Sequence, residues 1–124
     1  MLIQVLKSKL KKVKVTAASV DYEGSLTLDP DLIDAARLIP YERVEVNGVN
    51  SCDRIVTYVI PGERGSGCVE LNGGAANFFD KGDHVHVNCF WFINPFMIDT
   101  KDNRVQFSNY EPNIIITDEN NKVI

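Results

Sequence analysis

Tyr22-Glu23-Gly24-Ser25 places a serine hydroxyl directly after a glycine carbonyl. Such a hydroxyl can attack the carbonyl before it and convert the amide into an ester. Glycine at the preceding position leaves the carbonyl unhindered and permits the strained backbone that attack requires. Elimination from the ester then breaks the chain and leaves a dehydroalanine, which hydrolyses to an N-terminal pyruvoyl group. A pyruvoyl ketone forms a Schiff base with a substrate amine and draws electrons from its α-carbon. Taken alone the pair is a weak signal, because about one Gly-Ser arises by chance in a chain of this length. A second pair, Gly65-Ser66, lies inside a run of glycines and reads as an ordinary turn.

Two other clusters carry chemistry. His84 and His86 are two apart on a predicted strand, so both rings share one face. A metal needs three or four ligands, and no third is evident, so surface or packed histidines are expected and no metal. Five of the thirteen Lys and Arg fall between Lys7 and Lys14, and no Asp or Glu precedes Asp21. That stripe suits a small anionic ligand or is simply a solvated strand face.

The elements that must position these residues are mostly strands. Leu2, Leu6 and Leu10 alternate with Lys7, Lys9 and Lys11, which predicts a long strand with one apolar and one basic face. Past Lys12 the alternation inverts, the mark of a bulge or of a crossing between sheets. Asp29 to Leu38 reads as a short helix, with Asp29 as cap and Pro30 at the first position. Strands are predicted at Val44 to Val46, Ile55 to Ile60, Cys68 to Leu71, Asp83 to Ile93 and Asn113 to Thr117. Asn72 to Phe79 reads as a turn opening a second short helix. Many short strands with two small helices favour an all-β barrel over a sandwich.

Composition agrees. The 124 residues suit one domain, and 44% hydrophobic with 24% charged content excludes disordered and fibrous classes. The net charge of −4 argues against non-specific nucleic-acid binding. No apolar run approaches the ~18–20 residues of a membrane span, and the N-terminal pattern is not that of a signal peptide. Cys52, Cys68 and Cys89 are an odd number without metal-ligand spacing, which suits reduced thiols. A soluble, cytoplasmic protein is expected.

Taken together, several blocks resemble the aspartate 1-decarboxylases. They are Lys9 to Thr16, Tyr22-Glu23-Gly24-Ser25 with Asp29 after it, Arg54-Ile55-Val56-Thr57-Tyr58-Val59-Ile60, Leu71-Asn72-Gly73-Gly74-Ala75-Ala76 and Gly82-Asp83. The resemblance runs from residue 2 to about residue 90 and resumes at Pro112 to Val123. It implies a double-psi β-barrel and a single domain that cleaves itself between Gly24 and Ser25, giving chains 1–24 and 25–124. It also implies a homotetramer with active sites between subunits, and it leaves room for a maturation partner. The implied reaction is decarboxylation of L-aspartate to β-alanine in pantothenate biosynthesis. Ser25 would become the pyruvoyl, Tyr58 the proton donor, and Thr57 an aid to processing that also touches substrate. Lys9 and Arg54 would hold substrate carboxylates, and Asn72 with the Gly73-Gly74-Ala75 turn would contact substrate and product.

The chemistry of these side chains fits those roles. Arg54 offers a planar fork for a carboxylate and Lys9 a point charge. A phenol within reach can protonate a carbon that has lost carbon dioxide. Thr57 and Tyr58 are adjacent, so on a strand they face opposite ways; serving one site requires a subunit junction or a local twist. The chain departs from the family pattern at Lys11, where histidine is frequent, and at Asn47, where tryptophan is. It departs again at His84 and His86, which are commonly apolar, and along the aromatic segment Phe90 to Met97, which suits an interface patch better than a lid. Two rival readings are a pyruvoyl enzyme for another amino acid, and a non-enzymatic barrel binding an anion through Lys7, Lys9 and Lys11.

Overall fold

The computed structural model describes residues 1–21, 24–95 and 110–124. Its strands are β1 (Ile3–Lys14), β2 (Ala17–Ser19), β3 (Ser25–Leu28), β4 (Arg43–Gly48), β5 (Arg54–Pro61), β6 (Val69–Asn72), β7 (His84–Ile93) and β8 (Asn113–Ile116). Helix α1 spans Pro30–Ala35, and a 3-10 helix spans Gly73–Asn77.

Strand order across the sheet is β2-β6-β3-β5-β4-β7-β1-β8. Consecutive strands β1 and β2 therefore lie near opposite ends of the sheet, yet only Val15 and Thr16 separate them in the chain. Two residues reach about 7 Å at full extension, so the sheet must curl until its ends meet. Hydrogen bonds close that seam: Val15 N–H to the Asp83 carbonyl, Gly82 N–H to the Val15 carbonyl and Thr16 N–H to the Val69 carbonyl, each 2.8 Å. The Asn121 side chain completes it, accepting from Lys14 N–H and donating to the carbonyls of Lys14 and Gly67. The expected all-β barrel is what forms.

Inside, Leu10, Val13 and Val15 meet Leu26, Leu28, Val44, Val46, Val69, Leu71, Val85 and Val87, all buried. Each such side chain contributes roughly 1.5–3 kcal/mol through removal from water. Leu32, Ile33 and Ala36 carry α1 onto this core. Asp29 caps α1 by accepting from Asp31 N–H at 2.8 Å, and it also receives Gly65 N–H and Gly67 N–H. Burial raises its carboxyl, but these bonds and Lys122 more than offset that and leave its pKa lowered. The helix stops before Leu38, because Arg37 takes a left-handed conformation with φ of 58°.

The inversion of pattern past Lys12 is a bulge, with an extra residue between Leu10 and Val13 opposite β7 and Lys12 at φ of 54°. A second bulge, between Leu6 and Ser8, corrects the expected face of Lys7. Lys7 does not share the outer face of Lys9 and Lys11: it is buried, donating to both Glu42 carboxylate oxygens at 2.8 Å and to the Arg37 carbonyl at 3.0 Å. Ser8 is turned inward and donates to the Ala36 carbonyl. The three-lysine anion face of the non-enzymatic reading therefore does not exist, since its first member is held in an internal ion pair.

Lys7→Met leaves the Glu42 carboxylate partly buried without its cation and should lower unfolding stability by about 2–3 kcal/mol, below the range for fully buried pairs. Urea denaturation measures it; a change under half a kcal/mol would show that the pair is as weak as an exposed one.

Candidate active site

Strand β3 begins at Ser25, paired with Asn72 across the antiparallel β3–β6 ladder. Leu26 and Leu28 point into the core, so Ser25 and Thr27 share the other face. Asn72 reaches across to both: its amide nitrogen donates to Ser25 Oγ at 3.0 Å and to Thr27 Oγ1 at 2.9 Å. Ser25 is 3% exposed. The amide occupies one lone pair of the serine oxygen and leaves its proton free to transfer.

The same strand start creates a cavity. Residues 59–61 of β5 pair with β3, whereas, among the described residues, 54–58 pair only with β4. The β3-facing edge of that part of β5 has no described strand beside it, just where Gly24 precedes β3. A cavity of about 560 Å³ fills the notch, lined by Gly24, Thr57, Tyr58, Gly74, Ala75 and Phe78 among others. This answers how neighbouring residues can serve one site: Thr57 and Tyr58 both line the cavity because it meets their strand edge-on. Gly73, at φ of 68°, starts the 3-10 helix that supplies the opposite wall. The Tyr58 ring lies 6.1 Å from that of Tyr41, tilted by 32°. A Cβ on Gly24 would meet the Asn72 carbonyl oxygen only at 3.9 Å, an ordinary contact.

Lys9 and Arg54 lie elsewhere in the same chain. They line a second cavity of about 620 Å³ with Asn47, His86, Glu45 and Asp53, and the two cavities share no lining residue. Arg54 stands 3.8 Å from Glu45 and is largely exposed, so its guanidinium remains available. His86 Nδ1 accepts the Lys12 N–H at 3.1 Å. Burial, then Lys9, Lys12 and Lys11, lower the pKa of this imidazole. Among the described residues no three His, Cys, Asp or Glu side chains group as a metal site. No helix among them is long and apolar enough to cross a membrane. Cys89 is buried and its thiol is pushed up to about 11, whereas Cys52 is exposed.

The Gly24, Ser25, Thr57, Tyr58, Asn72, Gly73, Gly74 and Ala75 group is therefore gathered around one notch, and Lys9 with Arg54 around another. Thr27 and Phe78 were missed. Thr27 could have been found from its period-2 relation to Ser25; Phe78 could not, because its place depends on how the 3-10 helix folds back. Of the aromatic segment, Phe90, Trp91 and Phe92 are exposed on β7, while Phe96 and Met97 lie outside the described residues.

Comparison with known proteins decides the family. The model of the family described as aspartate decarboxylase matches residues 1–124. The chain belongs to the aspartate decarboxylase family. Among its relatives, the aspartate 1-decarboxylase of Leptospira biflexa is 44% identical over 122 residues, 98% of this chain and 97% of that one. The aspartate 1-decarboxylase of Caldicellulosiruptor saccharolyticus is 39% identical over 124 residues, covering 100% and 90%. That of Salinibacter ruber is 41% identical over 121 residues, covering 98% and 77%. The match to the aspartate decarboxylase family spans both cavities as well as the Gly24–Ser25 junction.

Asn72→Ala removes one buried and one part-buried side-chain hydrogen bond and should cost about 1–3 kcal/mol of stability. Chemical denaturation beside the parent chain measures it, and unchanged stability would mean that the amide does not hold Ser25 and Thr27.

Proposed function

We propose that this chain is a self-processing aspartate 1-decarboxylase, converting L-aspartate to β-alanine and carbon dioxide on the route to pantothenate. The observation that carries the reading is the Ser25 hydroxyl, held by Asn72 at the threshold of a cavity that contains Gly24 and Tyr58, in a chain of this family.

Processing is chemistry of the chain itself. Ser25 Oγ bonds to the Gly24 carbonyl carbon, the C–N bond breaks, and the freed amine takes the hydroxyl proton. Asn72 orients the attacking oxygen, and the Thr57 hydroxyl, which lines one cavity with Gly24, stabilises the oxyanion that forms. Loss of the residue-25 Cα proton then expels the Gly24 carboxylate and leaves a dehydroalanine; water enters and ammonia leaves, giving the pyruvoyl ketone. The surroundings fit that group: Ser25 Oγ departs with the Gly24 carboxylate, which frees the Asn72 Nδ2 donor beside residue 25, and the notch beside it is open to a small molecule. Once formed, the ketone supplies an electron sink for the α-carbon of an amine substrate.

Each remaining role belongs to a named side chain. Tyr58 protonates the carbon that has lost carbon dioxide. Gly74 and Ala75 give a backbone wall without bulk, so substrate and product pass. Lys9 and Arg54 hold carboxylates by charge and by a planar fork. Because they line a separate cavity, the reading includes a homotetramer in which Lys9 and Arg54 of one subunit complete the Ser25–Tyr58 notch of the next. The exposed Phe90, Trp91 and Phe92 supply apolar surface for such contacts. Three free cysteines accord with the reducing cytoplasm as its place of work. A maturation partner would act at the Gly24–Ser25 junction.

Tyr58→Phe should leave processing intact and reduce kcat for β-alanine formation by about 10²-fold or more, the scale of a lost general acid. Ser25→Ala should give neither carbon dioxide nor β-alanine. Retention of full turnover by the phenylalanine variant would remove Tyr58 from proton transfer, and activity in the alanine variant would end the pyruvoyl reading.

A further inference from the structure

The Lys9–Arg54 cavity holds two polar side chains whose hydrogen-bonding capacity the fold does not use. Asn47 and His86 stand opposite each other in the antiparallel β4–β7 register, so their side chains emerge side by side on one face. Both line the cavity with Lys9 and Arg54.

The tautomer of His86 follows from its partner. The backbone N–H of Lys12 can only donate, so Nδ1 must be the acceptor and the neutral ring carries its hydrogen on Nε2. The bulge that frees Lys12 N–H from the ladder is what makes this bond available. The ring nitrogen left over is therefore a fixed donor with no hydrogen-bond partner among the described residues. Beside it the Asn47 side-chain oxygen is buried and also lacks a partner. The Asn47 oxygen is the costly one, because an unpaired buried polar atom is destabilising, whereas His86 Nε2 is not buried and stays accessible from the cavity. Lys9, Lys11 and Lys12 from β1 act on the imidazole, and Arg54 from β5, Glu45 from β4 and Asp53 before β5 line the same cavity. Burial first and then the lysines disfavour a second ring proton, in keeping with Nδ1 acting as the acceptor of Lys12 N–H.

We propose that His86 is a substrate-recognition residue of this chain: its Nε2–H donates to the carboxylate held by Lys9 and Arg54, with Asn47 completing the polar wall. This rests on the functional reading given above and adds to it a third, neutral donor, fixed by the β1 bulge. A neutral donor adds direction to the carboxylate's position that a flexible lysine does not supply. The recognised class is a short dicarboxylate with room for a polar group against Asn47.

Succinate separates recognition from chemistry, because it has both carboxylates and no amine. Calorimetric titration of the full, matured protein with succinate should give a Kd about tenfold weaker in His86→Leu, the loss expected for one hydrogen bond to a charged acceptor. KM for aspartate should rise by a similar factor while kcat changes less than about threefold, the pattern of lost ground-state binding. His86→Gln, whose amide nitrogen reaches the Nε2 position, should recover most of the affinity. Parent-like succinate binding in His86→Leu, or equal loss in both variants, overturns the proposal. Arg54→Ala tells which level has failed: weaker succinate binding there with none in His86→Leu removes only His86. Unchanged binding in both removes the carboxylate cavity from the functional reading, and His86 with it.

Discussion

Barrel closure is the constraint on which the rest depends. One continuous segment, residues 3–19, supplies strands near both ends of the sheet order, and only two residues turn between them. Those residues cannot be moved without opening the seam that Val15, Thr16 and Asn121 hold. With the sheet wrapped, β6 is pinned beside β2 on one side and β3 on the other, and this sets Asn72 opposite Ser25. The candidate nucleophile is thus located by the hydrogen bonding of a closed sheet and not by a flexible loop, and rigid elements hold reactive groups more closely than loops do.

A second consequence concerns where the sheet is incomplete. Because β3 starts only at Ser25, the first five residues of β5 have no β3 partner among the described residues, and the cavity beside Gly24 lies along that edge. A mixed barrel makes this possible: β3 runs parallel to β5 and antiparallel to β6, so its two neighbours need not end together. The side chains proposed to bind carboxylates sit on the other part of the surface, where Lys9 of β1, Asn47 of β4 and His86 of β7 line one cavity with Arg54. The proposed reaction centre and the proposed substrate clamp are thus separate cavities of one chain, and in that proposal assembly is what would unite them.

Much of this was legible in the residues and some was not. The cap and start of the helix at Asp29-Pro30 and the phase change past Lys12 are local signals, and both are present, although the helix ends at Ala35, short of Leu38. The phase change at Lys7 was invisible, because Leu2, Leu6 and Leu10 keep their spacing across it. A lysine among lysines gives no hint that Glu42, thirty-five residues away, will take it inside. The grouping of Thr57 with Tyr58 was equally out of reach, since it depends on where a neighbouring strand begins. Gly24 and Ser25 drew notice by their chemistry, but Asn72's grip on the hydroxyl belongs to the β3–β6 register, which no local pattern states. His86 was noticed for its spacing from His84; its donor role follows instead from the bulge that delivers Lys12 N–H to its other nitrogen.

The central claim is that the Gly24–Ser25 peptide is severed by the serine that Asn72 holds. Intact-mass measurement of the purified chain after prolonged incubation tests it without assuming any substrate. The account predicts two species, a peptide of residues 1–24 ending in a free carboxylate and a chain of residues 25–124 whose first residue has lost its amine as a ketone. A single uncut mass under every maturation condition, with no adduct trapped by borohydride in the presence of an amine, would contradict it.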